Sequence, residues 1–351
     1  MRVAFYYDQP RRAPDDAHTN PYGPLLCAAL ERRGIACEFA FRLDEEYLRD
    51  NREHLDVLHL NWPHFDYYHD DAAEMERRMD TFVGRLELAR DLGYRVVWTA
   101  HNLYPHNRRH QDIDHRCRLA ICRLATAVIA HCDDAAEAVR RTFGRTENLF
   151  VIPHGHFIGV YSDDVTPEQA RAELGVPKNG FAYGFFGSIQ PYKGVEQLID
   201  SFRCLPFDDT WLLVSGGGQA DYHDQVRQYA GDHPRIVLRT YLRAPTSDIA
   251  LIMRAADVIT LPFVAATTSG TLMLALSWGR PVIAPAIGCF PATVTPEAGI
   301  LYDPTDREGL QRAMRSIRGW TLQAASPAAI ACAQHLDWDE IAALTEQAYQ
   351  A

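Results

Sequence analysis

A chain of 351 residues, 47% apolar and 23% charged, is long enough for two ordinary cores and too well mixed to be disordered or fibrous. Its formal net charge of -11 argues against bulk nucleic-acid binding. No apolar run nears the roughly 20 residues of a membrane span, and eight cysteines (Cys27, Cys37, Cys117, Cys122, Cys132, Cys204, Cys289, Cys332) without a C-x-x-C pair read as reduced thiols of a cytoplasmic protein.

Met1-Arg2-Val3-Ala4-Phe5 runs straight into a strand with no signal-peptide core. In the first half the apolar runs predict strands at 2–7, 37–42, 57–61, 95–100, 127–131 and 149–152. Amphipathic periodicity predicts helices between them at 24–33, 72–92, 116–125 and 135–143. The second half repeats the rhythm, with strands at 182–187, 211–215, 236–239, 258–262 and 281–284 and helices at 195–203, 222–230, 246–255, 271–278 and 307–319. Strand–helix alternation is the pattern of parallel, doubly wound sheets. The expected units are 1–155, on which a terminal helix from 337 to 351 packs back, and 156–336. In such sheets ligands sit at the carboxyl ends of the strands.

The most informative stretch is Phe185-Phe186-Gly187-Ser188-Ile189-Gln190-Pro191-Tyr192-Lys193-Gly194. A strand breaks at a glycine turn and an amphipathic helix follows, so free N–H groups and a helix dipole face one point. Lys193 is one of two lysines against 33 arginines. A lysine kept there suits a compact charge on a phosphate; a surface lysine at a helix start is the plain alternative. Ser269-Gly270-Thr271 opens another helix and offers hydroxyls and cap amides to an anion, or is a simple N-cap.

With these motifs in view, the chain resembles the GT-B glycosyltransferases, α/β enzymes of two Rossmann-like doubly wound domains facing across a cleft. Gly187 to Gly194 resembles the donor-phosphate loop of the large retaining GT-B family. Leu213 to Gly218, Ala255-Ala256-Asp257-Val258 with Leu261-Pro262, Ser269-Gly270-Thr271, and Gly279 to Ala284 resemble its following segments in order. The two glutamates usual in retaining members fall at Ala266 and Leu274, and the basic residue common in the phosphate loop is Ser188. In the first half, His18-Thr19-Asn20-Pro21-Tyr22, Asp56 to Pro63, and Trp98 to His106 resemble bacterial GDP-mannose-dependent β-mannosyltransferases of exopolysaccharide assembly, which invert and act on lipid-linked saccharides.

The resemblance implies a nucleotide-diphospho-sugar donor around Gly187, Ser188, Lys193, Ser269, Gly270 and Thr271, with Gly216 and Gly217 near the nucleotide and Tyr241-Leu242 near the base. Each glycine pair and strand end reads equally as a turn. The acceptor, a saccharide or lipid-linked saccharide, would meet Asn20, Tyr22 and the aromatic loop of Trp62, His64 and Tyr67, whose faces could stack on sugar rings. His101 closes a strand and is the preferred catalytic base, or a histidine satisfied inside its loop; Asp8 and His18 are rivals. His101, His106, His110 and His115 lack a carboxylate or thiol set, and Asp112-Ile113-Asp114 and Asp337-Trp338-Asp339 do not end strands at the donor site, so neither metal nor other cofactor is expected. Arg108, Arg109, Arg116, Arg118 and Arg123 surround an apolar-faced helix, either as a lipid-facing basic face with peripheral membrane contact or as a solvated one. The resulting expectation is an inverting, metal-independent transferase of GDP-mannose in glycan biosynthesis, with a retaining UDP-sugar enzyme and a silent nucleotide-sugar-binding homologue as alternatives.

Overall fold

The computed structural model describes residues 1–7, 12–16, 20–105 and 108–351. Among them, twelve strands form two six-stranded parallel sheets. The first holds β1 (Arg2–Tyr6), β2 (Ala36–Ala40), β3 (Val57–Leu60), β4 (Arg95–Thr99), β5 (Ala127–Ala130) and β6 (Leu149–Val151) in the order β2-β1-β3-β4-β5-β6. The second holds β7 (Phe181–Phe186), β8 (Thr210–Gly217), β9 (Ile236–Tyr241), β10 (Val258–Thr260), β11 (Val282–Pro285) and β12 (Gly299–Tyr302) in the order β12-β11-β10-β7-β8-β9.

These sequences make parallel strands because helices cover both faces. β3 reads Val-Leu-His-Leu and β5 Ala-Val-Ile-Ala, buried at every position, which is the continuous apolar run of a doubly covered sheet. The helix Ala72–Asp91 shows the complementary pattern. Asp71 caps it by accepting from the Glu74 N–H, and Met75, Met79, Phe82, Leu86 and Ala89 form its buried stripe.

Strand order reverses between β1 and β3 in the first sheet and between β7 and β10 in the second. At such a reversal the loops leave in opposite directions and open a crevice at the strand carboxyl ends, the usual place for a ligand.

The chain divides into two compact units: the described residues of Met1–Pro14, Thr19–Gly155 and Asp337–Ala351, and those of Asp15–His18 and His156–Leu336. The described part of Asp15–His18 thus groups with the second unit, where the sequence reading had it in the first. The terminal helix Trp338–Gln350 buries Trp338, Ile341, Ala342 and Tyr349 in the first unit. Gly155 makes room for it, since a Cβ there would sit 2.3 Å from the Trp338 ring.

Besides the short helices Glu45–Asp50 and Phe290–Thr293 and the 3-10 turn Pro191–Lys193, three further elements went unpredicted. The helix Leu322–Gln334 contains Pro327, which reads as a breaker, yet Ala325, Ala329, Cys332 and Ala333 bury a face that offsets the lost hydrogen bond. β12 is a four-residue strand begun by glycine, too short for a period. The aromatic loop after β3 contains a short helix, His64–Tyr67. Cys27, Cys37, Cys117, Cys122, Cys204 and Cys332 are free thiols, so the reduced reading holds for those six. No helix among the described residues is long and apolar enough to cross a membrane.

Candidate active site

In the second unit the loops after β7 and β10 meet at the strand reversal. The Val264 N–H donates to the Tyr192 carbonyl at 2.9 Å. Gly194 lies so close to the other loop that a Cβ would be 2.0 Å from the Pro262 carbonyl oxygen, and its φ of +68° is one only glycine adopts freely. Gly187, at φ +145°, ends β7, and a Cβ there would come 3.0 Å from the Thr271 hydroxyl. Gly187 and Thr271 are therefore neighbours across the crevice. Gly216 packs on the Gly187 carbonyl, where a Cβ would stand at 1.9 Å, and Gly217 follows it at the end of β8.

Ser269 is buried and caps the helix Gly270–Ser277 by accepting from the Leu272 N–H at 3.3 Å. Lys193 ends a 3-10 turn, Pro191–Lys193, with its Nζ 3.6 Å from the centroid of the Phe263 ring. Burial pushes its pKa down to about 7. Ser188 is exposed. Tyr241 ends β9 with its hydroxyl accepting from Arg239 Nε at 3.1 Å, and Leu242 is 77% exposed. Leu274, at one of the two glutamate positions, is buried in the helix.

In the first unit the strand ends carry a buried set of histidines: His59 on β3, His101 after β4, His131 after β5 and His154 after β6. His59 bonds Tyr349 and Thr99, each at 2.7 Å. The Ile152 carbonyl, 2.9 Å away, requires a proton on His131 Nδ1, so a neutral His131 presents bare Nε2 to His101 Nδ1 at 3.0 Å. His101 Nε2 then faces Asn61 Oδ1 at 3.0 Å. Two acceptors at the ends of two rings call for three N–H protons, and hence one positive charge. A neutral pair instead turns the Asn61 amide so that its nitrogen donates to His101. Burial lowers the pKa of all four histidines, His59 and His154 to about 3 and His131 to about 4. His101 is thus held on both nitrogens, and Trp62 stacks on it at 4.2 Å.

Asp8, His18 and His106 lie outside the described residues. Asn20 is exposed, with its side chain accepting from the Tyr22 N–H at 3.1 Å. Two acceptor candidates are turned inward, against the expectation of sugar contact. Tyr22 is 2% exposed and wedged among His101, His131, His154 and Trp338, so it supports the histidines. Tyr67 occupies the inner face of its short helix and donates to Asp114 Oδ1 at 3.1 Å. Trp62 and His64 remain partly open and, with Phe65 and Tyr104, line a cavity of about 240 Å³.

The arginine set does not form one face: Arg116 pairs with Glu76 at 2.8 Å, whereas Arg118 is buried. Sequence reading missed Asn61, His131 and His154 because partnership across strand ends is invisible in a linear order. The available signal was that β3 and β5 end beside polar residues, Asn61 and His131. Among the described residues no group of three or more His, Cys, Asp or Glu is placed to hold a metal.

Residues 2–156 match the family model "Glycosyltransferase Family 4" and residues 180–318 match "Glycosyl transferases group 1". The chain is 31% identical over 274 residues to a GDP-mannose:glycolipid 4-beta-D-mannosyltransferase of Xanthomonas campestris pv. campestris, covering 77% of this chain and 71% of that protein. Sucrose-phosphate synthase from Thermosynechococcus elongatus superposes over 100% of this chain and 98% of its own, with a TM-score of 0.74 and 18% identity. Anabaena HepE in complex with UDP-glucose does so over 100% of both chains, with a TM-score of 0.74 and 20% identity. With paired parallel sheets, glycine-built loops at a strand reversal and these relatives, the chain belongs to the group 1 glycosyltransferases and has the GT-B fold.

Proposed function

We propose that the protein transfers mannose from GDP-mannose to a saccharide or lipid-linked saccharide in glycan assembly, with inversion and without a metal, on the cytoplasmic side of a membrane. The observation that carries the donor site is the meeting of Gly187, Lys193 and Thr271 loops at the β7/β10 reversal. Lys193 and the amides opening the Gly270–Ser277 helix would meet the diphosphate charge. Ser188, Gly216, Gly217, Tyr241 and Leu242 belong to the same strand ends and are proposed nucleotide contacts. The mannosyltransferase from Xanthomonas supports GDP-mannose as donor and a glycolipid as acceptor. Ala266 and Leu274, in place of glutamates, favour inversion over the retaining UDP-sugar reading.

In the reaction a base removes the acceptor hydroxyl proton, the oxygen bonds the anomeric carbon from the face opposite the phosphate, and the carbon–oxygen bond to the nucleoside diphosphate breaks. For His101 to be that base, its Nε2 would exchange Asn61 for the acceptor hydroxyl. Asn20, Trp62 and His64 are the proposed acceptor contacts on the first unit.

Thermal stabilisation by GDP, GDP-mannose, UDP and UDP-glucose, with and without EDTA, tests the donor. A GDP-selective, EDTA-insensitive shift supports the reading; a UDP-selective shift overturns the mannosyl assignment, and no shift from any nucleotide overturns the donor site. Lys193→Ala should weaken nucleotide binding about tenfold or more, the value of a hydrogen bond to a charged group. Because the free lysine titrates near pH 7 and an anion favours its charged form, wild-type affinity should fall as pH rises from 7 to 9, and the variant's should not.

A further inference from the structure

A cavity of about 730 Å³ lies in the second unit at the amino ends of its strands. Phe181 opens β7, Asp257 directly precedes β10, and Arg280 stands two residues before β11; all three line it. The Gly187 loop leaves the other end of β7, six residues and roughly 20 Å away at about 3.3 Å per residue. One small ligand cannot touch both places. The volume falls within the roughly 300–1,000 Å³ of small-molecule sites.

Five cations stand on the walls, Arg171, Lys178, Arg254, Arg280 and Arg318, against two carboxylates, Glu168 and Asp257. Three of the five are matched. Arg171 donates to both Asp257 oxygens at 2.8 Å, and the Ala182 N–H donates to Oδ2 at 2.7 Å, so that carboxylate is fully engaged. Arg254 donates to Asp163 at 2.6 Å and Arg318 to Asp209 at 2.8 Å. Arg280 makes no hydrogen bond or ion pair among the described residues, and its Nε is cut off from water. Arg318 Nη1 is likewise buried without a partner. Lys178, the other of the chain's two lysines, is exposed on the rim with no ion pair among the described residues, and exposed Glu168 pairs with neither it nor Arg280.

A guanidinium keeps its proton at any pH at which the fold survives, so burial leaves Arg280 charged. Loss of water pulls its pKa down, and the attraction of Asp257 is opposed by the repulsion of Arg254 and Arg171. A buried cation without a counter-ion is costly, and an anion in the cavity would offset that cost and give the orphaned N–H groups an acceptor. A phosphate group suits the arrangement, since it carries about -1.5 to -2 charges and three acceptor oxygens.

We propose that this cavity is a second anion site, separate from the donor loops, which takes the phosphate or diphosphate group of a soluble small molecule with Arg280 as its counter-ion and Lys178 at its rim. The proposal is independent of the donor and acceptor readings.

The test is isothermal titration calorimetry of inorganic phosphate and pyrophosphate into the full chain. Lys193→Ala serves as the background, because the donor loops are also expected to attract a diphosphate. In that background at least one of the two anions should bind saturably, one per chain, and the tighter of them identifies the group. Adding Arg280→Gln should weaken binding about tenfold or more, the value of hydrogen bonds to a charged group, and Arg280→Lys should return part of it. Lys178→Gln, an exposed change that does not threaten the fold, should weaken binding about two- to fivefold, as for a solvated charge. Melting curves check that each variant is folded. Binding that Lys193→Ala abolishes would place the anion at the donor loops and overturn the proposal, as would affinity unchanged in folded Arg280→Gln. Should Arg280→Gln not fold, unchanged affinity in Lys178→Gln overturns it. Absence of binding by either anion does so too.

Discussion

At the scale of single residues, burial sets the chemistry. Lys193 and the four histidines share a cause, loss of water around a group that prefers to be charged. For His59, His131 and His154 the folded pKa lies near 3 or 4, below the ordinary 6.5. Once pH drops below about 6.5 the unfolded chain binds more protons than the folded one. The stability present above pH 6.5 is then lost as pH falls toward 4, by about 1.4 kcal/mol per pH for each histidine. Thermal melts from pH 8 to 4.5 should show a flat region followed by a steep decline, and His131→Leu should lower the slope by about one proton. A melting temperature independent of pH down to 4.5 would contradict the buried, neutral arrangement. The sequence exposed His101 as a strand-end residue. Its partners, Asn61 and His131, stand 40 and 30 positions away, and only strand pairing joins them.

At the scale of elements, glycines in the loops that follow the strands let those loops come into contact. Gly194 combines a left-handed backbone with a carbonyl that leaves no room for a side chain. Gly194→Ala should cost about 1–3 kcal/mol in backbone strain alone and more from the collision with Pro262. The Tyr192–Val264 bond between the loops would be displaced with it, so both the melting temperature and nucleotide affinity should fall. Unchanged affinity in the folded variant would separate this turn from the donor site. The motif itself was legible, because a strand, a glycine turn and an amphipathic helix each leave a local pattern. The inward turn of Tyr67 was not. An aromatic loop and a short helix have the same composition, and the helix selects which rings face the core.

At the scale of the whole molecule, the chain returns to its start. The terminal helix supplies Tyr349 to His59 on β3, and Trp338 to the Tyr22 cluster, inside the first unit. Its ion pairs, Arg32–Asp339 and Arg33–Glu346, are largely exposed and contribute little. Its buried side chains matter more, at roughly 1.5–3 kcal/mol for each large one removed. A chain ending at Leu336 would lose Trp338, Ile341 and Tyr349 together, a large share of the ~5–15 kcal/mol that holds a typical domain. Limited proteolysis should find the first unit cleaved readily in that truncation. A first unit as resistant as in the full chain would show the helix to be dispensable.

The sequence by itself determined the strand–helix alternation, the two-unit plan and the glycine-framed loop after β7, because each depends on periodicity or on backbone conformations that few residues allow. Tertiary structure decided which chemistry those elements present. Strand order placed the β7 and β10 loops together, and pairing across strand ends gave His101 its two partners. Helix rotation took Arg118 from an assumed surface face into a cavity. These are facts about residues distant in the chain, and their energies come from contacts and lost solvent that no local pattern records.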